Sequence, residues 1–262
     1  MIWGDVPSWS IDAAGAVAAP AEQDARASVR LSTATGLFAI ARAMGGYCGA
    51  HPADVALDAL SARCAESPEP LGLDAWAAAV ADINARLWQS RNDPGPDGHW
   101  GWHMGHSCCL AAMQLGPAFA RLSHVGDCRI YRFREPSITA GLDLSLEVLT
   151  SDHSLARTFA LAESRLTTMV VSRAIGSEPE LAVDVSQVPV RRGDGFLVCS
   201  EVVPQALTPL ELREILKRPV SAAELVRALM ERVELRLRSQ DREHRSASLS
   251  KCGLAVLRIS AT

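Results

Sequence analysis

No run of about 18 apolar residues occurs anywhere in the 262-residue chain, so a membrane-spanning helix is not expected. The first residues, Met1-Ile2-Trp3-Gly4-Asp5, offer neither a positive n-region nor an apolar h-region, which points to a cytoplasmic protein. A basic tail and an acidic block are both missing: 26 basic residues against 30 acidic ones give a formal charge of −4. That balance disfavours nucleic acid and anionic membranes as principal partners. The seven cysteines (Cys48, Cys64, Cys108, Cys109, Cys128, Cys199, Cys252) lack C-x-x-C spacing and sit mostly in apolar stretches. Buried, reduced thiols are therefore expected rather than a zinc or redox site. Cys108 and Cys109 are neighbours, which in a strand sends them to opposite faces. Internal repeats are absent, and no Pro/Gly/Ser linker divides strand-rich from helix-rich sequence. Residues 1–262 thus read as a single α+β domain.

What is present is a regular alternation of patterns. The apolar run 37–41, after Gly36 and before Gly45-Gly46, suits a buried strand entering a tight turn. Apolar residues recur at three- and four-residue spacing over 51–64 and 73–89, which predicts two amphipathic helices. The segment Asn92 to Gly98 is a loop by its Pro, Gly and Asp content. Residues 108–134 read as a hairpin, with Cys108 to Leu115 as one strand, Gly116-Pro117 as the turn and 118–134 as the other. Further strands are expected at 147–150, 182–190, 196–200 and 253–259. Thr208-Pro209-Leu210-Glu211 and Ser221-Ala222-Ala223-Glu224 are capping boxes that open helices over 208–218 and 221–238.

His124-Val125-Gly126-Asp127-Cys128-Arg129-Ile130-Tyr131 resembles the His-Val-Gly-Asp-Ser-Arg strand of the metal-dependent serine/threonine protein phosphatases, the protein phosphatase 2C (PPM) family. Other segments fall in that family's order. Glu22-Gln23-Asp24, Ala43-Met44-Gly45-Gly46 and Met104-Gly105 lie upstream; Leu149 to Ser154, Ser172 to Glu180 and Val190 to Ser200 lie downstream. The resemblance covers roughly residues 10–260 and implies a four-layer α-β-β-α sandwich, two antiparallel sheets flanked by helix pairs. It also implies a binuclear Mg/Mn centre at one end of the sandwich, where a bridging water attacks a phosphomonoester.

Two dications about 4 Å apart repel by roughly 16 kcal/mol at an effective dielectric near 20, so such a centre needs a dense cluster of oxygen ligands. Several matching positions lack them. Arg42-Ala43 stands where the family has Asp-Gly, Glu201-Val202 where it has Asp-Gly after the serine, and Ser250-Lys251 where it has Asp-Asn. Ala19 occupies the expected place of the phosphate-binding arginine. Asp24 is kept, as is Asp127, which matches a third-metal position of bacterial members. With Arg42 and Lys251 facing inward, Asp24, Glu201 and Asp127 leave a net charge of about −1, too little for a dication pair. The expected arrangement is an Arg42 fork bridging Asp24 and Glu201 in place of a metal.

Ordinary readings stand beside these. Asp127 suits a turn-capping acid paired with Arg129, Asp24 a loop acid, and Arg173 and Gly176 a turn rather than a substrate contact. His99, His103 and His106 match no compact ligand pattern; Trp100 and Trp102 beside them are interface candidates. Trp3 and Trp9 read as core or edge-covering residues. The reading is then a degenerate bacterial-type member, a pseudophosphatase without cofactor, acting on a protein partner such as a kinase, a phosphoprotein or an assembly component. One alternative keeps weak Mn- or Mg-dependent phosphatase activity on Asp24, Glu201 and Asp127. A second is an anion or small-ligand sensor using Arg42 and Lys251.

Overall fold

The computed structural model describes residues 9–18, 26–44, 52–90, 107–134, 143–160, 170–239 and 252–261. Among these residues ten strands form two antiparallel five-stranded sheets. The first sheet runs β1 (Trp9–Val17), β10 (Gly253–Ala261), β9 (Asp194–Cys199), β6 (Arg129–Arg134), β7 (Ser145–Val148). The second runs β2 (Ala27–Ser32), β3 (Leu37–Met44), β4 (Ser107–Leu115), β5 (Phe119–Val125), β8 (Asp184–Pro189). Against the second sheet lie α1 (Pro52–Ala65) and α2 (Leu73–Ser90), and against the first lie α4 (Val202–Ala206), α5 (Pro209–Leu216) and α6 (Ala222–Arg238). A single short turn of helix, α3 (Leu155–Thr158), follows the loop after β7.

Period-two alternation divides the apolar residues into three layers. On β3, Leu37, Ala39, Ala41 and Ala43 meet α1 and α2, whereas Phe38 and Ile40 face the opposing sheet. On β9, Leu197 and Cys199 face α4 to α6, while Phe196 and Val198 enter the layer between the sheets. This is the α-β-β-α order that the sequence implied. Cys108 and Cys109 fall in different layers, as their adjacency requires. Six cysteines are free and buried, and Cys48 lies outside the described residues. Burial pushes the Cys108 thiol up to about 12 despite the nearby Arg42, so it is a neutral packing group. Both capping boxes form: Thr208 and Ser221 accept from the amides of Glu211 and Glu224, whose carboxylates return to the cap backbone. No helix among the described residues is long and apolar enough to cross a membrane.

The expected hairpin over 108–134 needs correction. Residues 118–134 do not make one strand, because β5 pairs in the second sheet and β6 in the first. The chain crosses between sheets at Gly126-Asp127-Cys128. Gly126 has φ +98°, and a Cβ there would fall 2.4 Å from Cys109 Sγ, so the crossing needs glycine for both conformation and space. Strands β1 and β2 were not anticipated; β1 pairs along its whole length with β10. The segment around Asn92 to Gly98 lies outside the described residues.

Candidate functional site

Arg42 belongs to β3, opposite Ala27 of β2 and Cys109 of β4. It shares strand parity with Phe38 and Ile40, so its side chain enters the layer between the sheets, where it is 7% exposed. A guanidinium in that position needs counter-charges, and two carboxylates supply them. Its Nη2 donates to Asp127 Oδ1 at 2.8 Å and Oδ2 at 2.9 Å. Its Nε lies 2.7 Å from Glu201 Oε2, off the direction of the N–H, so this contact is Coulombic rather than a directed hydrogen bond. Nη2 also approaches Cys109 Sγ at 3.4 Å. Burial opposes the charge on Arg42, but Cys109, Glu201 and Asp127 outweigh it and hold the proton above the ordinary arginine range.

Each partner arrives from a chain reversal. Asp127 follows Gly126 at the crossing from β5 to β6, and the side chain of this acid is 10% exposed. Glu201 follows β9 and Ser200, whose hydroxyl accepts from the Gly253 amide at 3.1 Å and so ties this corner to β10. Glu201 stands at the N-cap position of α4 in an αR conformation and makes no side-chain cap bond, which leaves its carboxylate to Arg42.

Of the expected Arg42 bridge, the contact with Glu201 is present and Asp127 stands on the other side of the guanidinium, while the expected contact with Asp24 falls outside the described residues. Asp24, Ala19, Ser250, Lys251, Trp100, Trp102, His99, His103, His106 and Trp3 lie outside the described residues, and of Trp9 only the backbone is described. The pairing of Asp127 with Arg129 is corrected. Arg129 instead donates through Nε and Nη2 to Asp152 at 2.8 and 2.6 Å, while Asp127 is engaged by Arg42. Ala43 packs beneath α1, and Val202 is buried in α4. Gly176 has φ +82° and its amide donates to Asn84 Oδ1 at 2.8 Å, a turn role; Arg173 Nη1 stands 3.7 Å from Asp184 Oδ1.

Sequence reasoning missed a second polar group beside the first. His124 of β5, 2% exposed, lies against His153 with ring centroids 4.9 Å apart. His153 Nδ1 accepts from the Gly126 amide at 3.2 Å, which fixes the proton on Nε2, and Nε2 donates to Asp184 Oδ2 at 3.1 Å. The His153 amide also donates to the Gly126 carbonyl at 2.7 Å, so this residue clamps the turn that carries Asp127 from both sides. Burial, then the neighbouring His153, lowers the His124 pKa to about 4, with Asp152 and Asp184 acting weakly the other way.

No protein-family model matches the chain, and a comparison with curated protein sequences finds no match. The architecture does match solved structures. PppA, a key regulatory component of T6SS in Pseudomonas aeruginosa, aligns with a TM-score of 0.71 at 22% identity, over 98% of this chain and 99% of that one. The catalytic domain of the serine/threonine phosphatase PstP, solved with two manganese ions, gives 0.72 at 19% identity over 96% and 98%. The PPM Ser-Thr phosphatase MsPP from Mycobacterium smegmatis, solved with cacodylate, gives 0.67 at 22% over 97% and 98%. The chain has the fold of the PPM-type serine/threonine phosphatases.

Proposed function

We propose that this protein is a catalytically inactive or severely impaired protein phosphatase 2C-like protein that works by binding a protein partner in a regulatory assembly. One observation carries the reading: the Arg42 guanidinium stands between Asp127 and Glu201, two of the carboxylates that the family resemblance associates with metal. A fixed monocation in contact with both acids takes the charge that a dication would need, and its own repulsion for a dication about 4 Å away is roughly 8 kcal/mol at an effective dielectric near 20. The residues here do not suit a manganese or magnesium pair, and no hydrolytic step is derived through one.

Partner binding is the complementary half. PppA, similar in fold, is described as a regulatory component, which supports a regulatory role for this chain. A kinase, a phosphoprotein or an assembly component fits that role, and Trp100 and Trp102 are the interface candidates from the sequence. The weak-phosphatase reading needs Arg42 to leave its two acids. The anion-sensor reading finds Nη2 and Nε of Arg42 already turned to carboxylates.

The test is calorimetric titration of chelator-stripped protein with Mn²⁺, followed by turnover of p-nitrophenyl phosphate. The expected result is no turnover in the parent protein and recovered Mn²⁺ binding in the Arg42→Asp, Ser250→Asp double variant. Metal-dependent turnover by the parent protein would overturn the reading.

A further inference from the structure

His124 presents a problem that the Arg42 cluster does not solve. It is 2% exposed, and neither of its ring nitrogens makes a hydrogen bond of normal geometry among the described residues; the Cys128 backbone acts on the ring only from outside that geometry. Buried polar groups in native proteins have partners, so this imidazole calls for one. The register of the second sheet sets Asp184 of β8 directly opposite His124. His153 closes the group, and one donor atom from each of His124, His153 and Asp184 lies within 4.8 Å of the other two.

We propose that His124, His153 and Asp184 form a binding site for one transition-metal dication, best suited to zinc, separate from the Arg42 cluster. Two imidazoles and a carboxylate suit zinc and its first-row neighbours, whereas magnesium takes oxygen ligands. Ligand atoms of a tetrahedral zinc site stand roughly 3.4 Å apart; His153 Nε2 and Asp184 Oδ2 already stand 3.1 Å apart, so it is the distances to His124, 4.8 Å at most, that must close, by up to about 1.4 Å. Asp184 supplies most of that movement, since its side chain is 52% exposed while both imidazoles are enclosed. Its exposure also gives the ion an entrance and leaves a fourth position for water. Arg173, 3.7 Å from the other Asp184 oxygen, competes for the carboxylate and turns outward on loading.

Loading has a chemical cost that is also its signature. His153 carries its proton on Nε2, the nitrogen nearest Asp184. For Nε2 to bind metal, that proton must move to Nδ1 through solvent, with none released overall. The new Nδ1–H then faces the Gly126 N–H, and the 3.2 Å bond between them is lost. Occupancy is thereby transmitted to the turn that holds Asp127 against Arg42.

The experiment titrates reduced, chelator-stripped protein with Zn²⁺ by calorimetry and with Co²⁺ by visible absorption. The expected result is one equivalent bound, cobalt d–d bands without a thiolate charge-transfer band, and a shift of the Gly126 amide resonance. Asp184→Asn, at a half-exposed position that does not threaten folding, weakens binding on the order of tenfold or more, and His124→Gln weakens it further. Excess Mn²⁺ does not compete. The proposal is overturned by a lack of saturable Zn²⁺ binding below about 1 mM. Equal affinity in Asp184→Asn would also overturn it, by placing the ion elsewhere, for instance at His99, His103 and His106; so would a thiolate band, which would assign the ion to cysteine.

Discussion

Replacing Arg42 by methionine keeps most of the side chain's bulk while removing its charge, and so isolates the electrostatic contribution. In the parent protein the guanidinium meets Asp127 at 2.8 Å and Glu201 at 2.7 Å, with all three side chains 12% exposed or less. Charge centres about 4 Å apart attract by about 4 kcal/mol each at an effective dielectric near 20. Desolvation cancels much of that gain, so the intact cluster is close to neutral for stability. Removing only the cation is different, because it leaves two enclosed carboxylates facing each other. Breaking a buried pair in this way costs about 3–5 kcal/mol. For a chain of this length each kcal/mol lowers Tm by roughly 2–4 °C, giving a drop of about 10 °C. Urea denaturation followed by circular dichroism measures the free energy, and calorimetry measures Tm, in chelator-treated buffer. The triple variant Arg42→Met, Asp127→Asn, Glu201→Gln is expected to recover most of the loss, since no uncompensated charge remains. A loss below about 1 kcal/mol for Arg42→Met, or no recovery in the triple variant, would refute the argument that the ion cluster governs this corner.

Acid sensitivity follows from His124. Its pKa is about 4 when folded and near 6.5 when unfolded, so its contribution is fully present above about pH 6.5. Between there and pH 4 the unfolded chain takes up the proton first, and about 3 kcal/mol is lost as pH falls. His124→Leu should flatten the pH dependence of urea midpoints over that interval, and an unchanged slope would refute the assignment. Gly126→Ala places a methyl 2.4 Å from Cys109 Sγ at φ +98°. It should cost more than about 1 kcal/mol and broaden the Asp127 and Arg42 resonances, and wild-type stability would exclude the crossing as a constraint. Ser221→Ala removes the oxygen that accepts from the Glu224 amide at 3.3 Å and should lower stability by about 1 kcal/mol in the same urea assay.

The layers were legible wherever composition followed period. The apolar run 37–41 between Gly36 and Gly45-Gly46 marked β3, and the two capping boxes located α5 and α6 to within a residue or two. Strand β1 escaped because Trp-Ser-Ile-Asp-Ala-Ala-Gly-Ala-Val is rich in small residues with weak strand preference; its pairing with β10 decides it. The crossing at Gly126 escaped because apolar character continues through it, and only the glycine's positive φ and its approach to Cys109 separate β5 from β6. Arg42 was legible as a misplaced cation. Its partner Asp127 was not, since the chain separation favoured Arg129, and that choice depends on the direction in which the crossing turns. His124, His153 and Asp184 come from three separate segments, and only the register of β5 with β8 reveals that they meet.

The sheet crossing has a mechanical consequence. Between the two sheets most contacts are apolar and non-directional, which resists separation more than sliding. At one corner the situation differs: Arg42 is rooted in a strand of one sheet, Asp127 in the link between both, and Glu201 in the continuation of a strand of the other. The ion contacts at this corner act as a rivet. Sliding of one sheet over the other here would have to break or stretch ion contacts as well as shift apolar ones, so strain on the sandwich is felt by a group of three charges.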